Sequence, residues 1–449
     1  MQEHPNTQAP FISRRDFIKS SSVAAVSAAA AVNFPTIVSA QSKQPIRAAI
    51  IGVGGRGSGA GENFNEAVKN LGVDGKIVAV ADMFPEATNK AGQIFNVPEQ
   101  NRFSGFDAYQ KAIEVQGVNY CILATPPGFR APHFKACIAA GKNVFMEKPV
   151  AVDAPGIRMV YEAADEAKKK NLKVAAGTQR RHRPSYIETV KRIHDGAIGD
   201  VRAGRIYWVN GGPIWHRGDH GSTDLERQVR NWYHYIWLCG DHICEQHVHN
   251  IDIANWIMKD HPVKCWGLGA RQQLDADHKS GEIWDNFAVE YEYPNGARVH
   301  AYCGQVKRSW SSVSEAIAGA TGTAEMNDGR NFIRPKDGKA WRPTGIKEDN
   351  GYVNEHRDLI QAILNDTPMN EAHQVADSTF TAIIGREAAY SGAEVEWDTA
   401  IKSNFHYGPD QLYQNCAGMQ FGAFRTLQPP MPSQHNIFKS PPEIVVAKA

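Results

Sequence analysis

The chain has 449 residues, of which 42% are hydrophobic and 22% are charged, and its formal net charge is +1. This length allows two domains with full cores. The near-zero net charge gives no electrostatic reason to expect a nucleic acid or an anionic membrane surface as a partner. Seven scattered cysteines without a C-x-x-C pair exclude a disulfide framework and a zinc-finger array.

Residues 1–40 have the features of an export signal. Arg14 and Arg15 precede an apolar stretch rich in alanine, valine and serine, which is followed by a small-x-small cleavage site ending at Ala40. This order predicts a signal peptide of the twin-arginine type and export to the periplasm, in preference to a retained anchor or an amphipathic tail. The apolar stretch is too short and too rich in alanine for a membrane span, and no later segment approaches one.

The mature chain opens with a strand, a glycine-rich turn and a helix. Residues 46–51 form a β-branched and alanine-rich run typical of a strand that is buried on both faces. The next six residues fit G-x-G-x-x-G, whose glycines permit a tight turn, the approach of a pyrophosphate and close helix packing. The helix N-terminus beyond offers free N–H groups to phosphates. This pattern predicts a dinucleotide site that includes Gly52, Gly54, Gly55, Arg56 and Gly57.

A second apolar strand, residues 77–81, ends in Asp82. A carboxylate at this position can accept hydrogen bonds from both ribose hydroxyls of an adenosine, and it repels a 2′-phosphate. Asp82 therefore predicts NAD as the cofactor in preference to NADP. Its separation from the glycine turn exceeds the usual ~20 residues, which we attribute to a loop around residues 72–76.

Strands and helices continue to alternate up to residue 176. The pattern predicts a strand at 121–124, a strand at 143–146, a helix at 153–170 and a strand at 172–176. Such alternation is typical of an α/β fold with a parallel, doubly wound sheet, and it defines a Rossmann domain over residues 44–176. A ligand of this fold lies at the carboxyl ends of the strands.

Three motifs in this order resemble those of the Gfo/Idh/MocA oxidoreductase family. The glycine turn is followed by Thr125-Pro126 at one strand end and by Glu147-Lys148-Pro149 at the next, and the resemblance extends over residues 47–398. It implies a second α/β domain with a large, open, mostly antiparallel sheet, which we expect over residues 177–400. It also implies that Thr125, Pro126 and Glu147 hold the cofactor and that Lys148 reaches both the nicotinamide and the substrate hydroxyl.

A second family motif opens a helix of the expected substrate domain. Glu245 stands where the family usually has aspartate, and His249 takes the place of the catalytic histidine. The i, i+4, i+7 spacing predicts that Glu245, His249 and Asp252 share one helical face. A carboxylate beside the imidazole would raise its basicity and orient it for proton transfer. His247 departs from the family pattern, and we expect it to pack or to line the rim of the pocket.

A metal site is the rival interpretation of this cluster. The four candidate ligands lack the H-E-x-x-H spacing and cannot all converge from one continuous helix, so no metal is predicted. Metal use stays open only if the segment is not helical up to His249. The candidate ligands are His242, Glu245, His247 and His249.

Polar and aromatic residues around these motifs suit a carbohydrate. Flat apolar sugar faces stack on aromatic rings, while Arg, Gln and His bind hydroxyls. The long polar stretch 211–231 is typical of a binding loop. About half of the aromatic residues in this region are expected to be ordinary core residues. The predicted substrate contacts are Gln179, Arg181, Trp232, Tyr235 and Asp252.

The rest of the chain predicts a hairpin, two helices and an arm. Alternating residues 286–293 and 297–302 flank a Pro-Asn-Gly turn, which indicates an antiparallel hairpin. One face of such an open sheet needs covering, so we expect a homo-oligomer, a dimer or a tetramer. Segments 352–364 and 372–391 are expected to be helices that return to the body, and residues 401–449 an extended arm.

These features predict an NAD(P)-dependent oxidoreductase that moves hydride to or from a ring hydroxyl carbon of a sugar, glycoside or cyclitol. Scarce NAD outside the cytoplasm favours a tightly bound cofactor. Two alternatives remain. One is a redox-neutral NAD-dependent glycosidase that works by oxidation, elimination, hydration and reduction, and the other is a non-catalytic sugar- or nucleotide-binding protein.

Overall fold

The computed structural model describes residues 44–211, 215–218, 220–274, 281–347, 349–424 and 427–439. The signal peptide expected at residues 1–40 and parts of the loop 211–231 lie outside these ranges. Within the described residues, no helix combines the length and the apolar composition required to cross a bilayer.

The first sheet has six parallel strands in the order β3-β2-β1-β4-β5-β6, which is the strand order of a Rossmann fold. Its strands are β1 (Ile46–Ile51), β2 (Gly75–Asp82), β3 (Arg102–Ser104), β4 (Tyr120–Leu123), β5 (Asn143–Met146) and β6 (Val174–Ala176). The helices that cover it are α1 (Gly55–Leu71), α2 (Pro85–Ile94), α3 (Ala108–Glu114), α4 (Arg130–Ala139) and α5 (Ala154–Lys169). The predicted doubly wound sheet is confirmed.

Burial explains why the strand predictions succeeded. Every residue of β4 is buried, and so are all residues of β1 except Arg47, because helices cover both faces of the sheet. Helix α5 begins after Asp153, whose Oδ1 accepts a hydrogen bond from Gly156 N at 3.0 Å. This side chain caps one of the free N–H groups of the first turn.

The second sheet has eight strands in the order β13-β12-β11-β7-β10-β9-β8-β14, and every neighbouring pair except β7 and β10 is antiparallel. This confirms the expected large, mostly antiparallel sheet. Its strands are β7 (Val201–Asn210), β8 (Lys264–Ala270), β9 (Asn286–Glu292), β10 (Arg298–Gln305), β11 (Ser312–Gly319), β12 (Gly322–Met326), β13 (Phe332–Pro335) and β14 (Val395–Glu396). Strands β9 and β10 form the predicted hairpin.

Further helices connect and cover this sheet. They are α6 (Pro184–His194), α7 (Asp224–Arg230), α8 (Ile236–Cys239), α9 (Val248–Met258), α10 (Gly351–Asn365), α11 (Ala372–Ser391), α12 (Trp397–Ala400) and α13 (Asp410–Gln414). Short 3-10 turns occupy Glu99–Asn101, Pro127–Phe129, Gln179–His182, Trp232–His234 and Cys416–Gly418, and a π-helical turn occupies Ile243–His247. The expectation that residues 211–231 form a loop is corrected by helix α7, which occupies part of this stretch. The Thr223 side chain caps this helix by accepting a hydrogen bond from Glu226 N.

The two late helices pack against earlier elements of the chain. Helix α10 packs on α1 of the Rossmann domain. Nδ1 of His356, a residue of α10, lies 2.8 Å from the hydroxyl of Tyr120 in β4. Helix α11 is almost wholly buried between α5, α9 and strand β8. Helix α11 therefore contacts elements of both sheets, whereas α10 packs on the Rossmann domain.

One face of the second sheet is exposed and aromatic. Along β8 the buried Cys265 and Gly267 alternate with Trp266 and Leu268, which are 50% and 61% exposed. Register places Leu268 opposite Ala288 of β9, and Ala288 opposite Tyr302 of β10, so these residues share a face. A contiguous apolar face of this kind is typical of an interaction surface.

The C-terminal residues lie along the same chain's body. Arg158 donates to the carbonyl oxygens of Ile401 and Ser403 at 2.7 and 2.6 Å, and His435 Nε2 lies 2.5 Å from Glu387 Oε2. These contacts place the C-terminal residues against helices of the same chain. The arm is not irregular throughout, because it contains the short helix α13.

Candidate active site

A cavity of about 680 Å³ lies at the carboxyl ends of the Rossmann strands. Gly52, Asp82 and Glu147, at or just after the ends of β1, β2 and β5, form one wall. The lining also includes Trp208 of β7 and His249 of α9. The cavity therefore lies where a doubly wound sheet binds its ligand, with residues of the second sheet and its helices facing it.

The glycine turn leaves room for a pyrophosphate. Gly52 has φ +89°, and a Cβ there would lie 2.4 Å from Thr125 N. A Cβ on Gly57 would lie 1.8 Å from Gly52 O, whereas Gly54 and Gly55 face open space. Helix α1 begins at Gly55 without a side-chain cap or an acidic residue in its first turn. Its free N–H groups and positive dipole end therefore suit the phosphates of a dinucleotide.

Asp82 is held at the end of β2 beside this turn. Its Oδ2 accepts from Val53 N at 2.9 Å and its Oδ1 accepts from Phe84 N at 3.2 Å. Burial raises the pKa of Asp82, and these backbone donors oppose that rise. Each carboxylate oxygen keeps a free lone pair, so the group can still accept from ribose hydroxyls.

Replacing Asp82 with alanine is expected to lower the ratio of kcat/KM for NAD to that for NADP by at least about tenfold. The variant loses charge-assisted hydrogen bonds to the ribose, worth ~1.5–3 kcal/mol, and no longer repels a 2′-phosphate. Steady-state kinetics with both nucleotides measures the ratio. Asp74→Ala is the control, because Asp74 is exposed and pairs with Arg47 at 2.9 Å. An unchanged ratio would remove Asp82 from the ribose site.

Thr125 and Pro126 line the cavity after β4. Thr125 Oγ1 lies 3.3 Å from His133 Nδ1, and the Thr125 carbonyl accepts from Arg130 at 2.6 Å. Arg130 also donates to the carbonyl of Leu123, and burial lowers the pKa of Arg130 to about 10. This buried arginine, which sequence reasoning missed, therefore fixes the shape of the strand end.

Glu147 is a buried member of the cavity wall. Its Oε1 lies 3.0 Å from Arg56 Nε, and the Arg56 guanidinium lies 5.0 Å from the centroid of the Tyr352 ring. A Cβ on Gly177 would lie 2.4 Å from Glu147 Oε2. The carboxylate is thus fixed between an arginine of the glycine turn and the backbone after β6.

Lys148 connects the two family motifs. Its ammonium donates to the backbone carbonyl of Glu245, and Nζ lies 3.3 Å from Glu245 Oε1. The side chains are only 9% and 11% exposed. Burial raises the pKa of Glu245, and the positive charge of Lys148 opposes that rise. The ammonium is therefore held at the cavity wall by groups of the second domain.

His249 also lines the cavity and is nearly buried. Its ring stacks on Trp208, with the centroids 5.6 Å apart and the planes at 25°. Burial, together with the positive charges of Lys148 and Arg180, lowers the pKa of His249 well below the usual value. The expectation that Glu245 raises this pKa is wrong, because the Glu245 carboxylate contacts Lys148. A neutral imidazole can accept a proton from a hydroxyl at neutral pH.

The segment before His249 is not a regular α-helix. Ile243–His247 forms a π-helical turn, and α9 begins only at Val248. Glu245 and His249 nevertheless both line the cavity, whereas Asp252, which was expected on the same helical face, does not. His247 is fully buried rather than at the rim. In the described ranges, no three His, Cys, Asp or Glu side chains are grouped so that they could hold a metal ion.

Two of the five predicted substrate contacts bind each other. Arg181 Nε lies 2.8 Å from Asp252 Oδ2, and the hydroxyl of Ser378 donates to Asp252 Oδ1 at 2.8 Å. Neither Arg181 nor Asp252 lines the cavity. Gln179 and Tyr235 also lie outside the lining, and Gln179 Nε2 is 3.3 Å from the Tyr352 hydroxyl.

Trp232 is the predicted substrate contact that lines the cavity. It lies beside Trp215, with ring centroids 5.8 Å apart, and the Arg217 guanidinium lies 4.8 Å from the Trp215 ring centroid. Arg217 and Gln246 also line the cavity and were not predicted individually. The polar stretch 211–231 and the position next to Glu245 were the signals that could have indicated them.

Two family models match the chain over its two sheets. Residues 46–177 match the model described as the oxidoreductase family with an NAD-binding Rossmann fold, and residues 186–325 match the GFO/IDH/MocA C-terminal domain. Together the two matches cover more than half of the chain.

Curated relatives are identical to this chain at about a quarter of the aligned residues. Inositol 2-dehydrogenase of Rubrobacter xylanophilus is 25% identical over 283 residues, which are 63% of this chain and 71% of that protein. Inositol 2-dehydrogenase 3 of Saccharopolyspora erythraea is 24% identical over 359 residues, 78% of this chain and 95% of that protein.

Solved structures share the fold. The aldose-aldose oxidoreductase of Caulobacter crescentus, complexed with glycerol, aligns with a TM-score of 0.64 at 19% identity, covering 79% of this chain and 100% of that one. Levoglucosan dehydrogenase with NADH and levoglucosan aligns with a TM-score of 0.63 at 17% identity, covering 79% and 99%.

The fold, the site and the family models define the class as an NAD-dependent oxidoreductase. The cavity agrees with this class, because its open glycine turn suits a pyrophosphate and its strand-end carboxylate suits the ribose of an adenosine. The chain belongs to the Gfo/Idh/MocA family.

Proposed function

We propose that this enzyme oxidises a ring hydroxyl of a sugar, glycoside or cyclitol, with Lys148 and His249 acting at the reacting hydroxyl. The observation that carries this proposal is that a buried ammonium and a neutral imidazole both line the NAD cavity, close enough for the ammonium to lower the pKa of the imidazole. Relatives named inositol 2-dehydrogenase and a structural neighbour named aldose-aldose oxidoreductase support a polyhydroxylated substrate.

Each residue has a distinct task in this mechanism. The imidazole of His249 accepts the hydroxyl proton, and the ammonium of Lys148 stabilises the negative charge that develops on the oxygen. Glu245 holds the Lys148 ammonium in place. The bound oxidised nicotinamide supplies the acceptor for the hydride of the carbon. Because burial keeps His249 neutral, the base is ready at neutral pH without a change of ionisation.

The substrate-facing wall suits a ring with one apolar face. Trp208, Trp215 and Trp232 line this part of the cavity, and sugar or cyclitol rings stack on such side chains. Arg217 and Gln246 offer donors to hydroxyl groups between them. This arrangement favours a cyclic polyol over a linear hydroxy acid.

The test is a panel of cyclitols, free aldoses and glycosides incubated in deuterated water with purified enzyme and NAD. We expect NADH to accumulate in step with an oxidised, uncleaved product. Cleavage of a glycoside with deuterium uptake at a ring carbon and no NADH would favour the redox-neutral glycosidase. Binding of these compounds without either reaction would favour a non-catalytic binding protein.

We also propose a homo-oligomer that is formed through the exposed face of the second sheet. Tyr207 and Tyr302 stack there with centroids 5.6 Å apart, next to the exposed Trp266 and Trp310. Burying such a face against a second copy would remove apolar surface from water. In sedimentation experiments the wild type should give an oligomer. The Trp266→Glu variant should give a smaller species, because a charge would be placed on the apolar face.

Export through the twin-arginine route is the proposed fate of the chain. The paired Arg14 and Arg15 before the apolar stretch support it. Replacing both arginines with lysine is expected to keep the protein in the cytoplasmic fraction, whereas the unaltered chain is recovered from the periplasm. A periplasmic double variant would contradict this proposal.

A further inference from the structure

The C-terminal arm crosses the end of the cavity at which Asp82 lies. The Cys416 Sγ atom is 3.9 Å from Nε2 of His133, which lines the cavity. The carbonyl of Gly422 accepts from Leu225 N at 3.2 Å, on helix α7. These contacts hold the stretch 416–422 against two elements of the cavity wall.

One side chain of the arm contacts two walls at once. The Phe421 ring lies nearly parallel to that of Phe84, at 5.8 Å and 10°, and meets the Phe106 ring at 5.0 Å and 61°. Phe84 follows β2 and Phe106 follows β3, and both line the cavity. Phe421 is therefore packed behind the apolar surface formed by these two loops.

Phe84 is supported from a second direction. The Arg230 guanidinium lies 3.9 Å from the centroid of its ring, and Arg230 pairs with Glu86 and Glu226 at 2.9 Å each. The position of the Phe84 ring is thus fixed by an ion-paired cation and by Phe421. Removing Phe421 would leave one of these two supports.

This apolar surface adjoins the ribose carboxylate. The backbone N–H of Phe84 donates to Asp82 Oδ1, so the ring lies two residues beyond the group that binds the ribose. Adenine is joined to that ribose, and a flat aromatic base is favourably bound by apolar and aromatic walls. The Phe84 and Phe106 loops therefore form the adenine end of the site.

We propose that Phe421 is a positioning residue of the adenosine site. It holds Phe84 and Phe106 in place, and through them the C-terminal arm strengthens the binding of the adenosine half of NAD. The inference rests on NAD binding and is independent of the substrate proposed above.

The test compares three ligands on the nucleotide-free full chain by calorimetry. In Phe421→Ala, NAD and ADP-ribose are expected to bind roughly tenfold more weakly, because the variant loses two aromatic contacts behind the adenine wall. Nicotinamide mononucleotide lacks the adenosine and is expected to bind as it does to the wild type. A general loss of structure would weaken all three ligands.

Phe405→Ala is the matched control, because Phe405 is a partly buried phenylalanine of the same arm. It packs on Tyr407 and His435, with centroids 4.9 and 5.5 Å away, and does not line the cavity. If Phe421→Ala does not fold, Phe421→Leu replaces it, with a smaller expected loss for NAD and ADP-ribose only. Unchanged NAD affinity, or equal weakening of NAD and the mononucleotide, would overturn the proposal.

Discussion

Lys148→Ala is expected to lower kcat by about three orders of magnitude while NAD binding changes little. Removing one preorganised donor from a developing oxyanion typically costs ~10²–10³ in rate, and here the donor carries a full charge in a nearly dry site. Loss of the ammonium also leaves the buried Glu245 carboxylate without its cation. Pre-steady-state and steady-state kinetics with the substrate found in the panel, together with NAD calorimetry, measure the two effects separately.

The control for this variant is Lys111→Ala. Lys111 is half exposed on α3, where it pairs with Asp107 at 2.6 Å, and it lies outside the cavity lining. We expect its kinetics to equal those of the wild type. A Lys148→Ala enzyme that keeps kcat within tenfold of the wild type would show that the ammonium does not act on the reacting oxygen.

His249→Ala is expected to lower kcat/KM for oxidation by about 10²–10⁴, the usual contribution of a positioned general base. The wild type should lose activity only at a pH well below the usual range of histidine, because burial and the nearby cations lower the pKa of His249. The imidazole acts as a base only when it is neutral. A lowered pKa of His249 therefore extends the active range of the enzyme to lower pH. In the variant this acidic limb should disappear.

His373→Ala serves as the matched control. His373 is exposed on α11 and lies 2.9 Å from Asp165, far from the residues that line the cavity. Its pH profile should match that of the wild type. If His249→Ala kept the acidic limb of the wild type, another group would be the base.

The Rossmann half of the molecule could be predicted because its signals are local. A run of buried residues such as Ile46–Ile51 followed by a glycine turn specifies strand, turn and helix within a few residues. Asp82 could be assigned for the same reason, since it ends the next strand. Right-handed crossovers then limit the ways in which such strands can be arranged in one sheet.

The relation between Glu245 and His249 could not be predicted in this way. A π-helical turn at Ile243–His247 leaves no signal in residue spacing, and Asp252 lies outside the cavity that Glu245 and His249 line. The partner of Glu245 is Lys148, 97 residues earlier in the chain. Long-range pairs of this kind depend on how two domains pack, which a single sequence does not encode locally.

The roles of Arg181 and Asp252 could not be predicted from the sequence either, because they too depend on a long-range pair. Both have the chemistry of substrate contacts, yet their side chains meet across 71 residues and use their hydrogen-bonding capacity on each other. Phe421 was likewise hidden, because it lies in a proline-rich stretch with no periodic pattern. Its contacts with Phe84 and Phe106 become visible only in three dimensions.

Transfer of deuterium from substrate to nicotinamide is the most direct test of the central claim. A substrate of the panel is labelled with deuterium on the ring carbon that bears the reacting hydroxyl, and the reduced nucleotide is analysed by mass spectrometry after a single turnover. We expect NADH one mass unit heavier than the unlabelled form, in an amount equal to the keto product. Reduced nucleotide without deuterium, or a converted substrate with no reduced nucleotide at any time, would contradict hydride transfer from that carbon.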